Sequence, residues 1–181
     1  MAKKNDKALI KDDFGDFIHL LNKHKVDYCI TGGYAVSFHS KPRSTEDIDF
    51  YIAHTTENSI RVAAAIKEFS GLDADEHFFE TEKTVILRMG IKPNQIELSN
   101  GLTGLTEDEI MGHRVKDKYG DIVAYYIGID ELIKNKGIVK DLPHRAIRKG
   151  QDETDYKTLK MFKSLLHNRF RRGGFSRPFR L

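Results

Sequence analysis

The sequence predicts an α/β protein in which a short mixed β-sheet is flanked by helices and followed by a C-terminal helical extension. Short apolar segments rich in β-branched and aromatic residues alternate along the chain with segments whose apolar residues recur at helical spacing. Such an order favours a sheet with helices packed on it, because parallel strands need helical crossovers between them. The length of 181 residues suits one ordinary domain with a small extension.

The first predicted elements are a helix over residues 8–25 and a strand over 26–31. A short helix over 34–39 and a strand over 47–52 follow. The first helix is predicted because its apolar residues lie near one face. These residues are Leu9, Phe14, Phe17, Ile18 and Leu21. The first strand is predicted to be buried, because it is apolar throughout most of its length and ends in a pair of glycines.

Further strands are predicted over residues 84–89, 95–98 and 121–127, the first two joined by a turn at Pro93–Asn94. Further helices are predicted over 56–69, from Thr106 in capping-box style, from Ile129 with Asp130 as its cap, and over 154–170. The expected inner residues of the helix over 56–69 are Ile60, Ala63, Ala64 and Ile66. Those of the last helix are Tyr156, Leu159, Phe162 and Leu165 or Leu166.

A glycine pair, Gly32–Gly33, lies at the junction between the first strand and the short helix. Such a junction directs free backbone N–H groups and the positive end of a helix toward one place, which suits phosphate. Larger side chains at either glycine would obstruct the approach of phosphate to the backbone or strain the turn. Alone, a glycine pair is more often a plain turn.

Two carboxylates follow on the next strand, with thirteen residues between Gly33 and Asp47. Because strand side chains alternate, Asp47 and Asp49 share one face while Ile48 and Phe50 point to the other. The two carboxylates repel each other unless a cation lies between them, and oxygen ligands suit Mg²⁺. An isolated pair of this kind is usually a solvated strand edge. Combined with the glycine turn, it favours a site for a nucleoside triphosphate and magnesium.

This combination resembles the signature of the polymerase-beta-like nucleotidyltransferase superfamily. Ile30-Thr31-Gly32-Gly33 is followed, after a spacer, by Asp47-Ile48-Asp49-Phe50. The segment 43–49 is similar to the small bacterial branch that includes abortive-infection, toxin–antitoxin nucleotidyltransferases. The resemblance is strong over residues 26–53, weaker but collinear to about residue 160, and does not cover the tail.

The resemblance implies the nucleotidyltransferase fold and a third acid on a later strand, for which the candidate is Glu97. Ile96 and Leu98 flank it, so the glutamate faces away from two core positions. The family more often has aspartate there. By resemblance, Asp47, Asp49 and Glu97 would bind Mg²⁺, with two ions expected, and Glu97 would help to deprotonate an acceptor hydroxyl.

Arg43, Ser44 and Thr45 precede the acidic strand and are expected to bind the phosphates of the nucleotide. By resemblance, a lysine on the helix from Ile129 faces the nucleotide. Lys136 matches best, and Lys134 is the alternative. A downstream pattern, in which acids and bases usually pair across helices, is expected to be structural. It consists of Arg148, Lys149, Asp152 and Asp155.

Charge is distributed unevenly along the chain. Residues 1–140 contain 19 Lys and Arg against 23 Asp and Glu, whereas residues 141–181 contain 11 against 4. The segment 169–180 has five arginines, three phenylalanines and no acid. We therefore expect a nucleotidyltransferase domain over 1–165 and a basic tail over 166–181. The tail is predicted either to contact RNA, to dock on a partner protein, or to be a solvated terminus.

Other features narrow the functional class. No apolar run approaches the roughly 18 residues of a membrane helix, and the first residues lack the apolar core of a signal peptide. The single cysteine, Cys29, lies in a predicted buried strand and is not expected to be a nucleophile. These observations predict a cytoplasmic protein without a membrane partner. The histidines show no zinc spacing, and no P-loop motif occurs.

The function predicted from the sequence is transfer of a nucleoside monophosphate from an NTP to an acceptor hydroxyl. The resemblance to toxins and the basic tail favour RNA or protein as acceptor, with a cognate antitoxin as a possible partner. Two alternatives remain: a nucleotidyltransferase that acts on a small molecule such as an antibiotic, and a nucleotide- or RNA-binding module without catalysis.

Overall fold

The computed structural model describes residues 12–171, and for residues 169–171 only the backbone. The helices are α1 (Asp13–Lys23), α2 (Gly32–His39), α3 (Thr56–Ser70), α4 (Glu107–Gly112), α5 (Ile129–Val139) and α6 (Lys149–Arg171), with a 3₁₀ helix at Pro143–Arg148. The strands are β1 (Tyr28–Ile30), β2 (Asp47–Ile52), β3 (Ile86–Met89), β4 (Gln95–Ser99), β5 (Val115–Tyr119) and β6 (Ile122–Tyr126).

The strands form one mixed sheet in the order β3-β4-β2-β1-β6-β5. β2 and β4 are parallel neighbours, as are β1 and β6. β1 and β2 are antiparallel, and antiparallel hairpins, β3–β4 and β5–β6, form both edges. The predicted fold class is therefore confirmed: a mixed sheet with helices packed on it.

The two faces of the sheet bury different helices. Ile48, Phe50 and Ile52 of β2 belong to a core that includes the inner residues of α1 and α3. Tyr51 faces the other side, into a core shared with α2, α4, α5 and α6. Because side chains alternate along a strand, Asp47 and Asp49 lie on the face of Tyr51. The candidate carboxylates are therefore on the side of the sheet that α2, α4, α5 and α6 partly cover.

The predicted elements that lie among the described residues are present, with shifts at their ends. The strand over 47–52 and the helix over 56–69 are β2 and α3 within one residue. The capping box at Thr106 is formed, since its hydroxyl accepts from the N–H of Glu109 while that side chain accepts from the N–H of Thr106. The helix predicted over 8–25 is seen from Asp13, and Leu9 lies outside the described residues.

The sequence prediction missed β5. Its residues, Val-Lys-Asp-Lys-Tyr, are largely exposed and mostly charged, so they lack the apolar alternation of a half-buried strand. β5 pairs with β6 through a tight turn at Gly120, whose φ of +57° suits glycine. Charged side chains on an edge strand also hinder pairing with another chain. The strand therefore exists because of its partner, which short-range patterns do not reveal.

The inner face of α3 was predicted correctly at Ala63 and Ile66, which are buried, and wrongly at Ile60 and Ala64. Ile60 is 41% exposed and Ala64 is exposed, whereas Val62 and Ala65 are buried. The cause is Asn58, a buried polar residue at the start of the helix. Asn58 donates to the carbonyls of Asp27 and Ala53 and accepts from the N–H of Asp27. These bonds satisfy the amide only when Asn58 faces inward, and this sets the rotation of the helix.

Two helix starts also differ from the prediction. α5 begins after Gly128, so Asp130 lies in its first turn and is not its cap. α6 begins at Lys149, five residues earlier than predicted, and its buried face is Asp152, Asp155 and Leu159. Leu165 is 57% exposed and Leu166 is half-buried.

The tail predicted over 166–181 extends beyond the described residues, which end with α6 at Arg171. Its division from the domain stays a prediction. Within residues 12–171, none of the helices combines the length and the apolar character needed to span a bilayer.

Candidate functional site

The candidate carboxylates lie on two adjacent parallel strands. Asp49 on β2 is directly opposite Glu97 on β4, and Asp47 is opposite Gln95. Residues opposite each other in a sheet present their side chains to the same face. The sheet therefore brings together, on one face, three acids that are separated by up to 50 positions in the chain.

Gly32 is tightly packed by one of these acids. A β-carbon at Gly32 would lie 1.8 Å from Oδ2 of Asp49, and the φ of Gly32 is +55°. A side chain here would collide with the carboxylate and would strain the backbone as well. The glycine thus allows Asp49 to lie directly against the start of α2.

Gly33 is packed by the loop that precedes β2. A β-carbon there would lie 2.7 Å from Oγ1 of Thr45 and 3.0 Å from Nη2 of Arg43. Both predicted glycines are therefore required by side chains of the site itself. Their predicted contact with phosphate stays a prediction.

The first turn of α2 is available to an anionic ligand. No side chain caps this helix, since Thr31, at the capping position, makes no such bond. Instead, the N–H of Thr31 donates to the carbonyl of Asp49 at 2.8 Å and joins the start of α2 to β2. An uncapped helix start carries free N–H groups and partial positive charge.

The loop before β2 holds Asp47 in place. The hydroxyl of Thr45 donates to Oδ1 of Asp47 at 2.9 Å. The hydroxyl of Ser37 on α2 accepts from the N–H of Arg43 at 3.2 Å. Ser44 is exposed, and its carbonyl accepts from Nη1 of Arg43 at 2.9 Å. Of the three predicted phosphate ligands in this loop, Thr45 contacts a candidate carboxylate directly.

Arg43 and Lys136, the two predicted nucleotide-binding cations, are paired with acids of α6. Arg43 lies 3.1 Å and 3.3 Å from the two carboxylate oxygens of Asp155. Nζ of Lys136 lies 2.9 Å from Oδ1 of Asp152 and 3.0 Å from Oδ2 of Asp155. Asp152 also accepts from Arg145 at 2.8 Å.

This cluster joins the loop before β2, α5 and α6. Asp152 and Asp155 are 1% and 2% exposed, so they need these partners, because a buried carboxylate without a counter-ion is costly. The two aspartates therefore have the expected structural role, and their partners are Arg43, Lys136 and Arg145. The predicted partners, Arg148 and Lys149, are exposed instead.

The electrostatic environment of Asp49 shows that the carboxylates and two cations share one region. Burial raises the pKa of Asp49 to about 6, and the negative charges of Asp47 and Glu97 add to this effect. The positive charges of Lys136 and Arg148 oppose it. Arg148 is thus an exposed cation close enough to act on the site, a role that the sequence interpretation did not give it.

The β3–β4 hairpin contributes two further cations that sequence reasoning missed. Nε of Arg88 lies 2.7 Å from Oε2 of Glu97, and Nζ of Lys92 lies 3.6 Å from Oδ2 of Asp47. Lys92 also lies 3.4 Å from Oε2 of Glu46. In the structure the hairpin is centred between Lys92 and Pro93, and this pairs Arg88 with Glu97. The prediction placed the turn one residue later, at Pro93–Asn94, which gives a different register of the two strands.

The residues present fit a magnesium ion by their chemistry. Asp47, Asp49 and Glu97 are oxygen donors on one face, and Mg²⁺ in phosphate-transfer sites takes one or two carboxylates, with substrate phosphates and water completing its shell. Among residues 12–171, no group of three or more His, Cys, Asp or Glu side chains is arranged closely enough to hold a metal ion. Asp47 is instead held by Thr45 and Lys92, and Glu97 by Arg88.

A cavity of about 310 Å³ lies farther along the same face, where Tyr51 and the N-terminus of α4 meet. Tyr51 donates to Oε2 of Glu107 at 3.0 Å, and the N–H of His54 donates to the same oxygen at 2.8 Å. Glu82 and Thr84 also line the cavity, and none of the described lining residues is Lys or Arg. The cavity is therefore acidic, whereas cations surround the carboxylates of β2 and β4.

Among solved structures, the chain resembles an antigenic nucleotidyltransferase-like protein from Paracoccidioides brasiliensis. The TM-score is 0.54 at 16% sequence identity, over 80% of this chain and 72% of that one. A second match is the antibiotic-resistance factor ANT(2'')-Ia, with a TM-score of 0.45 at 10% identity, over 88% of this chain and 92% of that one. No protein-family model and no curated protein matches the chain. The chain therefore has the fold of a nucleotidyltransferase-like protein.

Proposed function

We propose that this protein is a Mg²⁺-dependent nucleotidyltransferase that uses an NTP. The observation that carries the proposal is the placement of Asp49 opposite Glu97 on parallel strands, with Asp47 on the same face and the uncapped start of α2 beside them. The nucleotidyltransferase-like fold supports it. So does the sequence resemblance of residues 26–53.

The acceptor hydroxyl would attack the α-phosphorus, forming a new P–O bond while the α–β phosphoanhydride bond breaks and pyrophosphate leaves. Asp47, Asp49 and Glu97 would hold magnesium, which neutralises phosphate charge and activates the hydroxyl. Glu97 would accept the hydroxyl proton. The N–H groups at the start of α2 would bind phosphate oxygens, assisted by Ser44.

Arg43 and Lys136 act in this proposal mainly by position. Both are neutralised by Asp152 and Asp155, so they fix the loop before β2 and the near end of α5 against α6. Lys136 also lowers the pKa of Asp49, which keeps more of that carboxyl ionised for metal binding at neutral pH. Contact of either side chain with the nucleotide stays a prediction.

The acceptor proposed first is RNA or protein. The same proposal places this protein in the cytoplasm and gives it a cognate antitoxin as partner. The support is the sequence resemblance to toxin nucleotidyltransferases and the basic charge after residue 140. A small-molecule acceptor is the second candidate. It is favoured by the acidic cavity at Tyr51 and Glu107, which suits a hydroxyl-bearing amine better than a polyanion.

The test is transfer of α-³²P label from each of the four NTPs, with Mg²⁺, into total bacterial RNA, soluble protein and a panel of aminated small molecules. We compare the wild type with Asp49→Asn, which removes a charge at nearly constant volume. Asp121→Asn is the matched control, since Asp121 is exposed in the β5–β6 turn. Label in one acceptor with the wild type and the control, but not with Asp49→Asn, is the expected result.

The labelled fraction identifies the acceptor, and the NTP that labels it identifies the base. Full activity of a folded Asp49→Asn protein would contradict the mechanism. If no fraction is labelled but calorimetry shows NTP binding, the protein is a nucleotide-binding module and not a transferase.

A further inference from the structure

The two cations of the β3–β4 hairpin are more exposed than Lys136, the buried cation near the site. The side chains of Arg88 and Lys92 are 54% and 41% exposed, and those of Glu97 and Asp47 are 25% and 19% exposed. In contrast, Lys136 is 7% exposed between aspartates that are each 2% exposed. Exposed ion pairs contribute little to stability, whereas breaking a buried one is costly because it leaves an unpaired charge. The hairpin pairs can therefore exchange partners at little cost.

The position of Arg88 in the sheet places it in line with the site. Arg88 is opposite Glu97, Glu97 is opposite Asp49, and the carboxylate of Asp49 lies against Gly32 at the start of α2. The row thus runs from a guanidinium, through two carboxylates, to a positive helix end. Lys92 reaches Asp47 from the turn of the same hairpin.

Carboxylates that hold a metal ion have less charge to offer a guanidinium or an ammonium. Arg88 and Lys92 would then be two exposed cations beside the carboxylate row, with weakened pairing to Glu97 and Asp47. Lys92 would keep its contact with Glu46, which lies 3.4 Å away on the surface. A triphosphate is the anion that arrives together with the metal, and guanidinium binds phosphate through two parallel hydrogen bonds.

We propose that Arg88 and Lys92 are phosphate-binding residues, held by Glu97 and Asp47 in the free protein and transferred to the phosphates of the nucleotide when it binds. The inference rests on the proposed function, since it assumes that Asp47 and Glu97 take a metal. It assigns to the β3–β4 hairpin a role that the sequence motif does not contain.

The test measures two equilibria on Arg88→Ala and Lys92→Ala. One is binding of Mn²⁺ alone, followed by the electron paramagnetic resonance signal of the free ion. The other is calorimetric binding of a non-hydrolysable NTP analogue with Mg²⁺. We expect opposite signs. Mn²⁺ binds about two- to fivefold more tightly because a competing cation is gone, and the analogue binds about tenfold more weakly because a charged hydrogen bond is lost.

Arg61→Ala and Lys67→Ala serve as matched controls. Both residues lie on α3, on the other side of the sheet, and each is paired with an exposed acid, Glu57 and Asp73. We expect neither equilibrium to change more than twofold in the controls. Arg88→Lys should recover part of the analogue affinity, which a loss of folding would not allow.

Three outcomes would overturn the inference. The first is analogue binding within twofold of the wild type in both variants. The second is weaker binding of both Mn²⁺ and the analogue, which indicates structural damage. The third is a loss of RNA binding with unchanged affinity for the analogue and for pyrophosphate, which assigns the cations to an acceptor backbone. The proposed function survives all three if Asp49→Asn still abolishes transfer, and fails by itself if the wild type binds no NTP.

Discussion

Asp49 is folded into an environment that disfavours its charge. It lies against the backbone of Gly32 and shares its face of the sheet with Asp47 and Glu97. Burial and these charges raise its pKa from 3.8 to about 6. The folded state therefore binds more protons than the unfolded state between these pH values, so the free energy of unfolding falls as pH rises from 3.8 to about 6.

We expect Asp49→Asn to stabilise the metal-free protein at pH 7.5 by about 1–3 kcal/mol, because it removes a charge that is disfavoured by burial and by the nearby acids. The measurement is urea unfolding in the presence of EDTA, for the wild type and the variant. The difference should disappear well below pH 3.8, since Asp49 is then protonated in both the folded and the unfolded state.

Addition of Mg²⁺ should reverse the order, because only the wild type then gains binding energy in the folded state. Asp121→Asn is again the control and should change stability by less than about 0.5 kcal/mol at either pH. A variant that is less stable than the wild type in EDTA at pH 7.5 would show that Asp49 is not under repulsion.

At the scale of elements, Lys136 joins α5 to α6. It is 6% exposed and lies between Asp152 and Asp155. Burial raises the pKa of Asp152. Hydrogen bonds from Arg145 and Lys136, together with their positive charges, lower it by more, so the pKa lies below its ordinary value. The stability that this pairing contributes is present above the unfolded pKa of 3.8 and is lost as pH falls through the lower folded value.

We expect Lys136→Met to destabilise the protein by about 3 kcal/mol at pH 7, because two buried aspartates lose a shared counter-ion. The loss should shrink as pH falls below 3.8 toward the lowered folded pKa of Asp152, which then takes up a proton. The measurement is the free energy of unfolding against pH.

Lys134→Met is the matched control on the same helix. The side chain of Lys134 is 48% exposed and pairs with Glu109 at the surface, so the loss should stay below about 1 kcal/mol. Equal losses in the two variants would mean that the buried cluster contributes no more than a surface pair.

What the sequence reveals at this scale depends on how local the interaction is. β2 and the acidic pair were predicted because alternation is visible within six residues. The pairing of Arg43 with Asp155 joins residues 112 positions apart, so no short-range pattern contains it. The rotation of α3 follows from Asn58, whose partner Asp27 is 31 positions away. Glu97 was placed on the right face because it alternates with Ile96 and Leu98, while its contact with Arg88 depended on the register of the hairpin.

At the scale of the whole molecule, positive charge is concentrated after residue 140. If RNA is the acceptor, deletion of residues 172–181 should weaken RNA binding, because it removes Arg172, Arg177 and Arg180. The dependence of log affinity on log salt should become shallower by about 2, at about 0.7 for each lost contact with a single strand. The measurement is filter binding of total RNA over a salt range of about 50 to 200 mM, from which the slope is obtained.

The control for this deletion removes three positive charges elsewhere, by Lys67→Gln, Lys83→Gln and Lys118→Gln together. All three lysines are exposed in the described part of the chain. If this triple variant changes the salt dependence as much as the deletion does, net charge alone governs RNA binding, and the tail has no role of its own.

The order of the strands has a consequence for synthesis of the protein. β1 lies between β2 and β6, and Ile30 on β1 is paired with Tyr126 on β6. During synthesis, β1 therefore lacks its neighbour β6 until the last third of the chain is being made. Contacts between such distant segments form slowly, and exposed strand edges favour aggregation. Because Arg43 pairs with Asp155 on α6, the acidic strand can gain its final surroundings only after translation has passed α6.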